Sequence, residues 1–114
     1  MFERRKLKRR HLIYYLRVFD CANDHLIGHL VDITADGIMI ISEQPIEMNK
    51  IFHCKMMLPS RIGGKEEWLF QAQSRWCSKD INPDFFDTGF MLINVAEKDL
   101  EVISNLIRGF GFQD

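Results

Sequence analysis

Apolar and polar residues alternate along most of the chain before residue 94, with the two-residue period that is typical of half-buried β-strands. Turn-forming residues, such as those of the Asp36-Gly37 pair, interrupt this alternation at short intervals. The pattern predicts six strands, over residues 12–20, 25–34, 38–42, 50–58, 68–77 and 88–93.

The alternation also predicts which side chains share a face of each strand. In the fifth predicted strand, Trp68 and Trp76 fall on one face with Phe70, Ala72 and Ser74, so core packing is the expected role of Trp76. In the second predicted strand, Ile33 falls on the same face as three other residues: Ile27, His29 and Val31.

The period changes to that of a helix after residue 93. Asn94 and Glu97 have the spacing of a capping box, and Gly109 or Gly111 is suited to end the helix. The sequence therefore predicts a mainly β fold, a small six-stranded antiparallel barrel over residues 12–93 with a helix over residues 94–110 across one opening. One helical stripe collects the apolar residues Val95, Leu100, Ile103, Leu106, Ile107 and Phe110.

The chain has 114 residues, the size of one domain, and its net charge of -1 conceals an asymmetry. The first ten residues carry six basic side chains and one acidic side chain, whereas the rest of the chain has a net charge of -6. This distribution predicts a flexible basic arm over residues 1–11. Because only the arm has an excess of basic over acidic charge, the distribution favours a small anionic ligand over a long nucleic acid.

The sequence also indicates a compartment. No apolar run approaches the roughly 20 residues of a membrane span, and the charged N-terminus lacks the apolar segment of a signal peptide. The three cysteines cannot all pair with one another, which favours a reducing environment. We therefore expect a cytoplasmic protein without membrane insertion.

No assembled catalytic set is visible in the sequence. There is no nucleophile-elbow serine and no phosphate-binding P-loop. His25 and His29 are four residues apart, a spacing that suits a metal on a helix, but both fall on a predicted strand. The sequence thus predicts a protein that is not an enzyme and that uses no metal or cofactor.

Two short motifs carry candidate binding chemistry. Arg5 and Arg9 lie four residues apart in the arm, and a guanidinium offers a planar fork of donors to phosphate or to guanine. Asp32, Thr34 and Gly37 form an Asp-x-Thr-x-x-Gly segment at the turn after the second predicted strand. Taken separately, the arm is typical of a solvated tail and the segment of ordinary turn formers, with Gly37 supplying a positive φ.

In this order, with 22 residues between Arg9 and Asp32, the two motifs resemble those of the PilZ domain family. That family carries an Arg-x-x-x-Arg stretch before its first strand and an Asp or Asn-x-Ser-x-x-Gly motif about one hairpin later. Thr34 stands here in place of the serine. Arg75-Trp76 is similar to a tryptophan-containing strand of the family, and Gly89-Phe90 is similar to the start of its last strand.

The resemblance implies a bacterial receptor for cyclic diguanylate (c-di-GMP), a second messenger with two guanines and two phosphates. The arginines would hold phosphates and guanine edges, and Asp32 would accept hydrogen bonds from a guanine edge. Thr34 would exchange a hydrogen bond with the ligand, and Gly37 would let the backbone turn close beside it. The implied ligand-binding residues are Arg4, Arg5, Arg9, Arg10, Asp32, Thr34, Gly37 and Trp76.

The resemblance also bears on Trp76, on stoichiometry and on the output. It allows Trp76 to stack on a guanine. In similar PilZ domains an arginine directly before the motif, here Arg4, accompanies an intercalated pair of ligand molecules, and Arg10 adds a further cation. An unidentified downstream protein would receive the signal through a change of shape. Two alternatives stay open: a PilZ-like interaction module without ligand binding, and a small barrel that binds nucleic acid through its basic arm.

Overall fold

The computed structural model describes residues 16–58 and 67–110, which form a closed six-stranded barrel followed by one helix. All neighbouring strands are antiparallel, which confirms the predicted mainly β barrel with a C-terminal helix. The elements are β1 (Leu16–Asp20), β2 (Leu26–Ile33), β3 (Gly37–Ser42), β4 (Ile51–Met57), β5 (Glu67–Lys79), β6 (Phe86–Ile93) and α1 (Glu97–Phe110). Around the barrel their order is β1-β2-β3-β6-β5-β4, with β4 paired to β1.

Part of the sequence-based prediction lies outside the described residues. This part comprises the predicted arm over residues 1–11, residues 12–15 of the first predicted strand and the loop over residues 59–66. Within the described ranges, the six strands lie where the alternation predicts them, and β5 and β6 are each two residues longer at the loop that joins them.

The barrel interior is a hydrophobic core to which all six strands contribute. Val18, Leu30, Ile40 and Met56 are fully buried there. The helix packs against the same core through Val102, Ile103 and Leu106. Burial of these side chains in a barrel of this size leaves the outer face as the surface on which a ligand can bind.

The helix begins at a later residue than the spacing of Asn94 and Glu97 predicts. The carbonyl oxygen of Ala96 accepts the N–H of Asp99 at 2.9 Å, and Asp99 Oδ2 accepts the N–H of Ala96 at 2.8 Å. Asp99 Oδ1 also accepts the Nε1–H of the buried Trp68 at 2.8 Å. The predicted box is therefore wrong, and one carboxylate instead caps α1 and joins it to β5.

The buried face of α1 also differs from the predicted stripe. Ile103 and Leu106 are buried as predicted, but Val102 is buried with them. Val95 and Leu100 are exposed, because Val95 precedes the first turn and Leu100 lies at the margin of the buried face. Within residues 16–58 and 67–110, no helix is long and apolar enough to cross a membrane.

A β-bulge in β2 changes the predicted face of Ile33. The register of β2 against β3 shifts between Leu30 and Asp32. Val31 consequently packs with Met39 in a small separate cluster, whereas Ile33 joins the main core. Because the extra residue reverses the alternation beyond it, the predicted grouping of Ile33 with Val31 is wrong.

A second bulge, in β5, has the same effect on Trp76. The register of β5 against β6 shifts between Ser74 and Trp76. Ser74 is fully buried, whereas Trp76 is 44% exposed. The predicted core-packing role of Trp76 is therefore wrong, because the bulge turns the indole to the outer face of the barrel.

Candidate functional site

A row of four cross-strand partners runs over the outer face of the barrel. Asp32 pairs with Met39, Met39 with Gly89, and Gly89 with Trp76, so the row crosses β2, β3, β6 and β5. Directly opposed residues of antiparallel strands project to the same side of the sheet. At a strand spacing of about 4.8 Å, the backbone span from Asp32 to Trp76 is roughly 14 Å.

A cleft of about 380 Å³ lies over this row. This volume falls within the range of small-molecule sites, roughly 300–1,000 Å³. Four of the predicted site residues line the cleft together: Asp32, Thr34, Gly37 and Trp76. The other four predicted site residues lie outside the described residues: Arg4, Arg5, Arg9 and Arg10.

Thr34 shapes the turn between β2 and β3. Its hydroxyl oxygen accepts the N–H groups of Asp36 at 3.2 Å and of Gly37 at 3.3 Å. Its backbone N–H donates to the carbonyl oxygen of Gly37 at 2.8 Å. A hydroxyl oxygen has two acceptor positions, and the turn uses both. Serine would provide the same oxygen, so either hydroxyl residue can form these hydrogen bonds of the turn. A contact of Thr34 with a ligand stays a prediction.

Gly37 is required by a close approach of two strands. A Cβ at this position would overlap the carbonyl oxygen of Phe90 on β6, and the φ of Gly37 lies outside the left-handed region. The expectation that Gly37 supplies a positive φ is therefore wrong. The need for glycine remains, because any side chain would separate β3 from β6 at the edge of the cleft.

The cleft is lined by both acidic and basic side chains. Asp32 is half-buried at the end of β2, and its Oδ1 accepts the N–H of Ile33 at 2.9 Å. Asp36, at the turn, adds a second carboxylate, and Arg75 is the one basic residue among the described residues of the lining. The described lining is thus net negative, so an anionic ligand needs further cations from elsewhere in the chain.

Trp76 and Gly89 are in direct contact at the β5 end of the row. A Cβ on Gly89 would overlap Nε1 and Cε2 of the indole, so the ring lies against the backbone of Gly89. Gly89 itself is buried, whereas Trp76 is exposed. The absence of a side chain on Gly89 therefore creates the space that the indole occupies.

Arg75 is a cleft residue that the sequence analysis did not assign to the site. Its Nη1 lies 3.9 Å from the Sδ of Met91, which is 40% exposed on β6. Its position next to Trp76 gives no signal in the sequence, because neighbouring residues on a regular strand face opposite sides.

The start of the described chain lies close to the cleft. Leu16, the first residue of β1, pairs with Leu30 of β2, two residues before Asp32. Because β1 and β2 are antiparallel, the N-terminal end of β1 lies beside the C-terminal end of β2, where Asp32 is located.

The remaining reactive side chains form no site in the described part of the chain. Cys54 is buried in the core, and desolvation, together with the nearby Asp20 and Cys21, raises the pKa of its thiol to about 12. Such a thiol is protonated and unreactive at neutral pH. Among residues 16–58 and 67–110, no three His, Cys, Asp or Glu side chains are grouped as a metal ion would require.

Comparisons with known proteins agree with the architecture. No protein-family model and no curated protein matches this sequence. One similar solved structure is that of the Bacillus subtilis inhibitor of motility MotI/DgrA, with a TM-score of 0.67 and 13% sequence identity. The match covers 84% of this chain and 47% of MotI/DgrA, so this chain spans about half the length of that protein. At this identity the likeness concerns the fold, and the fold of this chain is PilZ-like.

Proposed function

We propose that the protein is a receptor for c-di-GMP. The observation that carries the proposal is that Asp32 and Trp76, which are far apart in the sequence, line one outer cleft together with the Thr34–Gly37 turn. These residues offer a carboxylate for the N–H edge of a guanine and an aromatic ring for its face. The cleft thus matches the base chemistry of the ligand that the sequence motifs imply.

The phosphates of the ligand require the predicted arm. The described lining contains two carboxylates and one guanidinium, whereas residues 1–10 carry a net charge of +5. Arg9 precedes Leu16 by seven residues, and seven residues of chain span at most about 25 Å. Since β1 begins beside the cleft end of β2, this length of chain is sufficient for Arg9 and Arg5 to contact a ligand bound there, which supports the proposal.

The proposed output is a change of surface that another protein recognises. Such a receptor transmits the signal by binding the ligand, without a chemical reaction in the cleft. MotI/DgrA, whose fold is similar, is named for the inhibition of motility, and a regulatory role of this kind is compatible with a ligand-dependent binding module.

Calorimetric titration of the full chain with c-di-GMP tests this function, with GTP as the control ligand. We expect saturable binding of c-di-GMP, and a loss of roughly tenfold or more in affinity in each of Arg5→Ala, Arg9→Ala and Asp32→Ala. Arg108→Ala removes an exposed cation of α1, away from the cleft, and should bind as the wild type does.

Two results would contradict the proposal. The absence of binding heat in a folded wild-type protein would favour the interaction module that has lost its ligand. Equal, steeply salt-dependent binding of RNA of any sequence would instead favour a nucleic-acid-binding barrel.

A further inference from the structure

We propose that Arg75 and Trp76 form a clamp for one nucleotide unit of the ligand, in which the guanidinium binds a phosphate while the indole stacks on the adjacent base. This inference rests on the proposed c-di-GMP receptor function. It adds Arg75 as a contact residue and Gly89 as a positioning residue.

The bulge in β5 makes the clamp possible. On a regular strand, an arginine and the tryptophan that follows it point to opposite faces, so one of the two would be directed away from the cleft. Here Ser74 pairs with Phe90 and Trp76 pairs with Gly89, which leaves Arg75 as the extra residue. Arg75 and Trp76 are consequently both exposed, and both line the cleft.

The guanidinium of Arg75 is available for an anion. Its Nη1 makes a long contact of 3.9 Å with the thioether sulfur of Met91. A thioether is a weak acceptor, and a guanidinium has five N–H donors. The cation therefore lies on the outer face beside Met91, with donors left for a planar fork of hydrogen bonds to phosphate.

Gly89 determines the position of the aromatic half of the clamp. The atoms nearest to the place of a Cβ on Gly89 are Nε1, Cε2 and Cζ2 of Trp76, all on the indole ring. The ring thus lies against the backbone of Gly89, while Trp76 is 44% exposed and lines the cleft. A side chain at position 89 would displace the ring, so glycine here acts through Trp76 rather than on the ligand itself.

The two groups together define a ligand chemistry. A cation and an aromatic face on consecutive residues fit a phosphate and a base that are covalently joined, as in a nucleotide. Inorganic phosphate would engage only Arg75, and a free nucleoside would engage only Trp76. The clamp therefore favours a purine nucleotide unit over either part alone.

The test is a titration of matched single variants with c-di-GMP. Arg75→Gln and Trp76→Ala should each weaken binding by roughly five- to 150-fold, the range for a bidentate contact or a stacked base. Lys79→Gln removes another exposed cation of β5 that does not line the cleft, and its affinity should equal that of the wild type. Arg75→Gln should also reduce the salt dependence of binding, which Trp76→Ala should leave unchanged.

Gly89 is tested through the indole. In a Trp68→Phe background, Trp76 is the sole tryptophan, and its fluorescence should be quenched by c-di-GMP. Gly89→Ala should shift the emission of the free protein and remove the quenching. In a Trp76→Ala background, Gly89→Ala should cause no further loss of affinity, because its effect passes through the ring.

The outcomes separate the clamp from the receptor function. A wild-type protein that binds c-di-GMP with the same affinity as Arg75→Gln and Trp76→Ala would overturn the clamp and leave the receptor function intact. A folded wild-type protein that does not bind would overturn both. If Gly89→Ala lowers the c-di-GMP affinity equally in the presence and in the absence of the indole, the positioning role of Gly89 is overturned. If Gly89→Ala unfolds the protein, the affinities of Arg75→Gln and Trp76→Ala decide the clamp.

Discussion

Asp99 should contribute strongly to stability, because one buried carboxylate serves two elements. Asp99→Ala removes the 2.8 Å hydrogen bond from the N–H of Ala96 and the 2.8 Å bond from Nε1–H of Trp68. A buried indole donor left without a partner costs about 1–3 kcal/mol. Loss of the cap bond costs about 1 kcal/mol, and loss of an acid from the first helical turn costs about 0.3–1 kcal/mol. Together these predict a destabilisation of about 2–5 kcal/mol, a large share of the about 5–15 kcal/mol that holds a domain folded.

Urea unfolding followed by far-ultraviolet circular dichroism measures this free energy. Glu101→Ala removes an exposed acid from the same helix and should stay within about 0.5 kcal/mol of the wild type. Asp99→Asn retains one acceptor oxygen and should lose less than Asp99→Ala. Combination with Trp68→Phe should show a coupling of about 1 kcal/mol or more, as expected for two residues in contact. A stability of Asp99→Ala within about 0.5 kcal/mol of the wild type would refute the reasoning.

Four further predictions concern other parts of the molecule. Gly37→Val should lower the free energy of unfolding by about 1–3 kcal/mol and should also lower the affinity for c-di-GMP, because the valine side chain would overlap the carbonyl oxygen of Phe90. Unchanged unfolding and binding curves would contradict this prediction. Cys54, with its pKa raised to about 12, should resist a thiol reagent at pH 8 while the exposed Cys21 reacts, as mass spectrometry of the labelled peptides would show. Between pH 9 and 12 the Cys54 thiol keeps its proton in the folded protein but loses it in the unfolded chain, whose thiol pKa is 9.0. The contribution of Cys54 to stability should therefore be complete below pH 9 and decline as the pH rises towards 12. The wild type should bind two c-di-GMP molecules per chain and Arg4→Leu closer to one, and a wild-type titration that saturates at one would exclude the intercalated pair.

The barrel could be predicted from the sequence because each strand carries its own two-residue period. The helix could be predicted because the period changes after Ile93. The errors at Ile33 and Trp76 have one physical cause. A bulge is a property of the pairing between two strands, whereas the alternation within one strand does not indicate which residue of the neighbouring strand lies opposite each of its own residues.

Among the cleft residues, Trp76 was indicated by the family resemblance, and the others that could be predicted are local in the sequence. Asp32, Thr34 and Gly37 lie within six residues of one another, and turn formers of this kind bring them together without help from distant strands. The contribution of Arg75 depends on the bulge, and that of Gly89 depends on the pairing of β6 with β5. Both relations appear only once the barrel is assembled, so the sequence pattern did not indicate them.

The closure of the barrel restricts how another protein can recognise this domain. Each of the six strands has a hydrogen-bonded neighbour on both sides, so the sheet formed by the described residues has no edge strand to which a partner could add a strand of its own. Recognition of the barrel surface then depends on side chains, and the outer cleft is part of that surface. A nucleotide bound over Trp76 would itself become part of the epitope, and a partner could distinguish the two states by direct contact with the ligand, without any rearrangement of the barrel.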